Sequence, residues 1–178
     1  MSFRYILSLG SRDPRKNISS LIKAWQAIPK DVKNGMKLVI SGGAGKAFLP
    51  EKIDKNIEDI HFTGYVKDEA LPALYSNAEC FVYPSFYEGF GLPPLEAMAC
   101  GCPVIVSKVA SLPEVCGDAA FYVDPFSVEN IKNGMTRVLS DFNLRNILVE
   151  RGLENIKKFN WMNSAEKVAK IFERLGDA

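Results

Sequence analysis

Two carboxylates separated by seven residues bracket a turn rich in glycine and proline, Tyr87-Glu88-Gly89-Phe90-Gly91-Leu92-Pro93-Pro94-Leu95-Glu96. Gly89 and Gly91 let the backbone approach a ligand closely and adopt conformations closed to other residues. Pro93 and Pro94 suit the first turn of a helix, where a missing amide hydrogen costs little. Amides near Phe90, Gly91 and Leu92, at the positive end of that helix, form an anion site. The effect is worth about 0.3 to 1 kcal/mol, rising to about 2 kcal/mol when partly buried. Carboxylates touching the anion would repel it, so Glu88 and Glu96 are read as hydroxyl acceptors on either side of it. Hydroxyls, a diphosphate and more hydroxyls describe a sugar nucleotide. Taken alone, the stretch reads as well as a helix start with two solvated glutamates.

A second loop complements the first. Gly10-Ser11-Arg12-Asp13-Pro14-Arg15-Lys16-Asn17 carries three cations. Fixed cations can hold a diphosphate without metal, each charge-assisted contact contributing about 1.5 to 3 kcal/mol. By itself this loop is equally a basic surface turn.

The elements around these loops alternate between short apolar runs and amphipathic stretches. Arg4 to Leu9, Lys37 to Ser41, Ile60 to Thr63, Glu79 to Tyr83, Val104 to Val106 and Ala120 to Val123 read as strands. Asn17 is placed as the cap of a helix burying Ile18, Leu21, Ile22, Trp25 and Ile28, and Asp68 as the cap of a helix through Asn77. Short helices are expected over Phe48 to Ile53 and Leu112 to Cys116, and a longer one runs from the glycine-proline turn through Cys100. From about residue 127 the pattern is helical, ending in a helix from Asn163 to Leu175 with Ala165, Val168, Ala169, Ile171, Phe172 and Leu175 to bury. Strands joined by helical crossovers imply an α/β fold, a Rossmann-like, doubly wound, six-stranded parallel sheet with helices on both faces. Ligands of such sheets bind beyond the carboxyl ends of the strands, where both loops fall.

Composition narrows the class. The chain has 178 residues, 22 Lys and Arg against 21 Asp and Glu, and 47% hydrophobic residues. That is enough for one sizeable core, and the whole chain is read as a single domain. No basic stripe points to a nucleic-acid partner. No stretch is long enough to cross a bilayer, and the apolar run near the start is too short for a signal core. Four cysteines fit a reduced compartment as small hydrophobes. The one-residue gap in Cys100-Gly101-Cys102 does not match zinc-knuckle spacing.

Three other chemistries do not fit. Gly42-Gly43-Ala44-Gly45-Lys46 lacks a P-loop's opening glycine, Ile40 standing there, and Ala47 offers no hydroxyl for magnesium. Gly89-Phe90-Gly91 has Pro94 where a dinucleotide fold needs its third glycine. His61 is the one histidine, which leaves no hydrolase triad.

The span "PSFYEGFGLPPLEAMACGCPVI", with Glu88 and Glu96 at its signature spacing, resembles the retaining glycosyltransferases of family 4, which have the GT-B fold. The resemblance extends through "LGSRDPRKN", "LVISGG", "HFTGYVKDEALPALYSNAECFVYPS" and "SLPEVCGDAAFYVDP". It implies that Glu88 accepts hydroxyls of the transferred sugar, with the amides of Gly89, Phe90, Gly91 and Leu92 near the sugar and diphosphate. Glu96 would hold the ribose. Lys16, helped by Arg15, would neutralise the departing diphosphate, with Gly10, Ser11, Arg12, Gly42 and Gly43 lining the donor site. The backbone of Tyr65 and Val66 would meet the base, with His61 nearby. Ser11 stands where many members have Arg, which leaves Arg12 or Arg15 to supply that charge.

The absence of an Asp-x-Asp motif implies metal-free chemistry with no cofactor, a nucleoside-diphosphate sugar (GDP-mannose or a UDP-sugar) being the co-substrate. The resemblance is to the donor half alone. It implies a separate N-terminal domain, absent here, that binds a glycan or lipid-linked acceptor. The whole enzyme is then expected to be cytoplasmic, peripheral to the membrane, and active in polysaccharide or lipopolysaccharide assembly. A non-catalytic nucleotide-sugar-binding or assembly module is the alternative.

Overall fold

A computed structural model describes residues 2–10, 13–43 and 58–176. Six parallel strands form one sheet: β1 (Tyr5–Leu9), β2 (Lys37–Ser41), β3 (Ile60–Gly64), β4 (Phe81–Tyr83), β5 (Val104–Ser107) and β6 (Ala120–Val123). Their order is β3-β2-β1-β4-β5-β6. The chain winds outward from β1 to β3, then crosses to β4 and winds the other way. The loops after β1 and β4 therefore diverge, and a crevice opens between them.

Alternation along the strands feeds two cores. Ile6, Leu38, Ile40, Val82 and Ile105 bury against α1 (Ile18–Gln26), reached through Leu21, Ile22 and Trp25, and against α6 (Val128–Ser140). Tyr5, Leu7, Val39, Phe81, Tyr83, Val104 and Val106 bury on the opposite face, against α3 (Leu71–Ser76), α4 (Leu92–Ala99) and α5 (Leu112–Cys116). Both faces being covered, the central strands are mostly apolar along their length, as buried parallel strands require, whereas the edge strand β3 carries His61 and Thr63 and is largely unburied. A short α2 (Lys30–Lys33), not anticipated from the sequence, precedes β2. Ser127 caps α6 through the Asn130 amide, and Asp141 caps α7 (Phe142–Asn155) through the Leu144 amide.

Two caps expected from the sequence are not formed. Asn17 sits in the left-handed region, at φ 55°, and its buried side chain donates to the carbonyls of Pro84 and Pro125 instead of to its own helix. Asp68 lies inside a 3₁₀ turn (Asp68–Ala70) that leads into α3, so its carboxylate makes no capping bond. β4 begins two residues later than expected, at Phe81. The helix expected over Phe48 to Ile53, with Ala44 to Ala47, lies outside the described residues.

The last helix, α8 (Trp161–Gly176), departs most from expectation. Val168, Ile171, Phe172 and Leu175 were expected to be buried, and all four are at least half exposed. The amphipathic period is real, but among the described residues no element covers its apolar side. No helix among them is long and apolar enough to cross a membrane.

The thiols give a direct check of the core. Cys80, Cys102 and Cys116 are buried, and Cys100 is half-buried. Burial pushes the Cys80 and Cys116 thiols up to about 12 and Cys102 well above its ordinary value. At pH 8 a thiol reagent should therefore label Cys100 first, the other three only on unfolding. Labelling of Cys80 in the native chain as fast as Cys100 would contradict this packing.

Candidate functional site

The crevice between the loops after β1 and β4 gathers most of the residues singled out in the sequence. Lys16 ends a 3₁₀ turn (Pro14–Lys16) in which the Arg15 amide donates to the Asp13 carboxylate. Its Nζ lies 2.8 Å from Oε1 of Glu88 and also donates to the Tyr83 hydroxyl. The Lys16 and Glu88 side chains are 21% and 12% exposed, so solvent screens this ion pair only in part. Lys16 and Glu88 were each expected to face a ligand, and here they face one another.

The cavity beside this pair has a volume of about 220 Å³ and is lined by Gly10, Lys16, Gly42, Tyr65, Val66 and Asp68, with Tyr83 and Pro93 closing it. Four of the expected donor-site backbone positions, Gly10, Gly42, Tyr65 and Val66, thus share one hollow with Lys16. Their loops are tied together at the strand ends, Gly10 donating to the Ser41 carbonyl and Gly42 to that of Gly64. Gly43 faces Tyr65: a Cβ there would lie 3.7 Å from the Tyr65 Cβ. Ser11 and Arg12 lie outside the described residues.

Arg15 is placed differently from Lys16. Its guanidinium makes a forked contact with Asp13, at 2.6 Å from Nη2 and 2.9 Å from Nε. That partner holds the buried Asp13 carboxyl below the usual range. The sequence offers Arg15 as a free cation, but the structure has it bracing its own loop.

Glu96 and Glu88 are linked through an aromatic stack that sequence reading missed. Tyr83 stacks on Phe81 with centroids 5.6 Å apart, and Phe81 meets Tyr75 edge-on at 5.3 Å. At one end Tyr83 holds Lys16 beside Glu88. At the other the Tyr75 hydroxyl donates to Glu96 Oε2 at 2.9 Å. Burial first, and then the neighbouring carboxylate, raises the pKa of both phenols. Both stay protonated at neutral pH, so Tyr75 can donate to Glu96. The signal available was alternation: Phe81 and Tyr83 are two apart on one strand and share a face.

The turn itself is largely exposed. Gly91 has φ 113°, a conformation that favours glycine, and α4 starts at the next residue with Pro93 and Pro94 in its first turn. Phe90 and Leu92 are exposed. Among the described residues the amides of Gly89, Phe90 and Gly91 donate to no acceptor. His61 does not lie near the hollow: it is the second residue of β3, away from the carboxyl end, and its ring meets Phe3 at 5.9 Å.

The arrangement can neutralise an anion with Lys16 and loop amides while two carboxylates accept hydroxyl protons nearby. Comparison with known proteins bears on the family and the fold. The family profile described as "Glycosyl transferases group 1" matches residues 2–155. O-antigen chain mannosyltransferase B of Escherichia coli is 43% identical over 175 residues, covering 96% of this chain and 46% of that protein. Sucrose-phosphate synthase from Thermosynechococcus elongatus superposes with a TM-score of 0.83 at 30% identity, over 99% of this chain and 46% of that one. Anabaena HepE in complex with UDP-glucose shares the fold, with a TM-score of 0.81 at 17% identity over 97% and 49%. The chain spans less than half the length of each of these proteins.

Proposed function

The chain belongs to the group 1 glycosyl transferases, and from that premise we propose that it is the donor-binding half of a retaining, family 4 transferase. Its fold is one Rossmann-like half of the GT-B architecture. The observation that carries the proposal is the Lys16 and Glu88 pair, set in the crevice beside the open amides of the following turn.

In this reading a nucleoside-diphosphate sugar lies along the crevice with its diphosphate against Lys16 and the amides of Gly89 to Leu92. The bond from the anomeric carbon to the diphosphate oxygen breaks with its electron pair leaving on that oxygen, an acceptor hydroxyl oxygen forms the new bond to that carbon, and the acceptor's proton passes to the departing diphosphate. Negative charge grows there, and Lys16 and the amides stabilise it more than they stabilise the bound donor, which lowers the barrier. Glu88 accepts sugar hydroxyls, and Glu96, fixed by Tyr75, accepts those of the ribose. Lys16 and the amides do the work that a metal does elsewhere, so no metal or cofactor is assigned to the reaction. The 43% identity to an O-antigen mannosyltransferase supports mannose as the sugar, with GDP-mannose the leading donor and UDP-sugars the alternative.

The acceptor, a glycan or lipid-linked chain in polysaccharide or lipopolysaccharide assembly, is assigned to an N-terminal domain not contained in this chain. The complete enzyme is placed in the cytoplasm, at the membrane periphery. Two measurements test this. Thermal melting with GDP-mannose, GDP, UDP-glucose and UDP should rise with one base, by about 2.7 kcal/mol of stabilisation at a hundredfold excess over Kd. Sugar transfer should appear only when the chain is joined to its other half. Failure of every nucleotide to raise the melting temperature would refute donor binding, and brisk transfer by this chain alone would refute the half-enzyme reading.

A further inference from the structure

The turn that carries Glu88 is held from behind by a residue with no assigned role. Ser111 stands at the N-cap of α5, where a serine hydroxyl ordinarily accepts from an amide of its own helix. Here it makes no such bond. Its Oγ instead lies 2.9 Å from the carbonyl oxygen of Glu88 and 2.7 Å from that of Phe90. Carbonyls carry no proton, so the hydroxyl is the donor to both and shares its single hydrogen between them.

That contact sets the direction of two amides. Among the described residues every peptide bond is trans. The N–H of Gly89 therefore points opposite to the Glu88 carbonyl, and the N–H of Gly91 opposite to the Phe90 carbonyl. Drawing both carbonyls toward Ser111 turns both amides away from it. In the strand order the β4 loop lies between the β1 loop, which bears Lys16, and the β5 loop, which bears Ser111. Lys16 thus belongs to the loop on the flank of the turn opposite Ser111.

Two neighbours reinforce the clamp. A Cβ on Gly91 would come 2.8 Å from Leu112 Cδ2, so this backbone lies directly against the residue after Ser111. At the end of β5, the Ser107 Oγ donates to the Ser85 carbonyl at 2.5 Å. From the β5 side the loop is thus held at three carbonyls, those of Ser85, Glu88 and Phe90, while Asn17 of the β1 loop holds that of Pro84.

We propose that Ser111 is a positioning residue that aims the amides of Gly89 and Gly91 at the diphosphate of a nucleoside-diphosphate donor. It acts through the carbonyls of Glu88 and Phe90 and touches no ligand. The inference rests on the donor-binding reading above and adds to it what orients the anion pocket.

The test uses the full chain, GDP and UDP as diphosphate probes, and guanosine and uridine as probes without phosphate. In the unaltered protein, the amide resonances of Gly89 and Gly91 should move on addition of the diphosphate that binds. If they stay in place while that diphosphate binds, the inference is wrong, whatever any variant does. Ser111→Ala should lose roughly tenfold in diphosphate affinity, the scale of one net hydrogen bond, with nucleoside affinity unchanged. Ser111→Thr, which keeps the hydroxyl, should restore it. Equal losses for diphosphate and nucleoside would make Ser111 a purely structural tie and overturn the proposal, as would an alanine variant that binds like the threonine one. Failure of the unaltered protein to bind either diphosphate would instead sink the donor-binding reading itself, and this inference with it.

Discussion

Glu88→Gln is expected to bind a bare nucleoside diphosphate more tightly than the unaltered protein, and Lys16→Met to bind it more weakly. Without ligand, the Lys16 ammonium is already engaged 2.8 Å from the Glu88 carboxylate in a partly buried pair. An incoming diphosphate must draw Lys16 from that partner and lie near a second negative charge. Glutamine keeps the shape, frees Lys16 and removes the repulsion. With an effective dielectric near 20 the Coulomb repulsion at several ångströms is about 2 to 3 kcal/mol, and solvent screening at this partly exposed site reduces it to on the order of 1 kcal/mol, a gain of about threefold to tenfold. Removing Lys16 takes away a charge-assisted contact of about 1.5 to 3 kcal/mol, a loss of roughly 10- to 100-fold.

Sugar transfer by the complete enzyme should fall with both variants, for different reasons. Lys16→Met leaves the departing diphosphate without its cation, a loss on the order of 10² to 10³ in turnover by analogy with other electrostatic stabilisers. Glu88→Gln weakens the acceptor for sugar hydroxyls, so the sugar nucleotide gains less than the bare diphosphate does. Calorimetry with GDP, UDP and their sugar conjugates separates these effects. If both variants shift bare-diphosphate affinity in the same direction, the competition between carboxylate and ligand for Lys16 does not exist.

The parts of this molecule that were legible in the sequence are those written in short-range pattern. Runs such as Arg4 to Leu9 and Lys37 to Ser41 announce strands covered on both faces, and the sheet has them at Tyr5–Leu9 and Lys37–Ser41. Glycines and charges collected after strands announced one rim at the carboxyl ends of the sheet, and Lys16 and Glu88 meet there although 72 positions separate them. What could not be read is what the strand order decides. Ser111 reaches Glu88 because β5 lies beside β4, and Tyr75 reaches Glu96 because α3 packs on α4. The amphipathic period of α8 was legible as well, but period reports only that a face is apolar. Whether Ile171 and Phe172 are covered depends on what lies beside them, and among the described residues nothing does.

Asn17 shows the same limit in one residue and carries the largest expected effect on stability. An asparagine before an amphipathic run has the look of an N-cap, but here its backbone takes the left-handed conformation and its amide turns inward. At 4% exposure, Nδ2 donates to the Pro84 carbonyl at 3.0 Å and to the Pro125 carbonyl at 2.8 Å. One side chain thus pins together the loops after β1, β4 and β6. Asn17→Ala leaves two carbonyls without that donor and forces alanine into the left-handed region, together costing about 3 kcal/mol. Asn17→Gly relieves the backbone but not the carbonyls, so it should cost less. Asn17→Asp keeps the tolerant backbone but sets a carboxylate against two carbonyl oxygens and should cost most. Urea unfolding at neutral pH orders the three. A glycine variant as stable as the unaltered protein would show that the side-chain bonds contribute nothing, and an alanine variant equal to glycine would show that the backbone conformation carries no strain. Because the pinned loops are those that bring Lys16 to Glu88, the same series should also weaken diphosphate binding in the order in which it lowers stability.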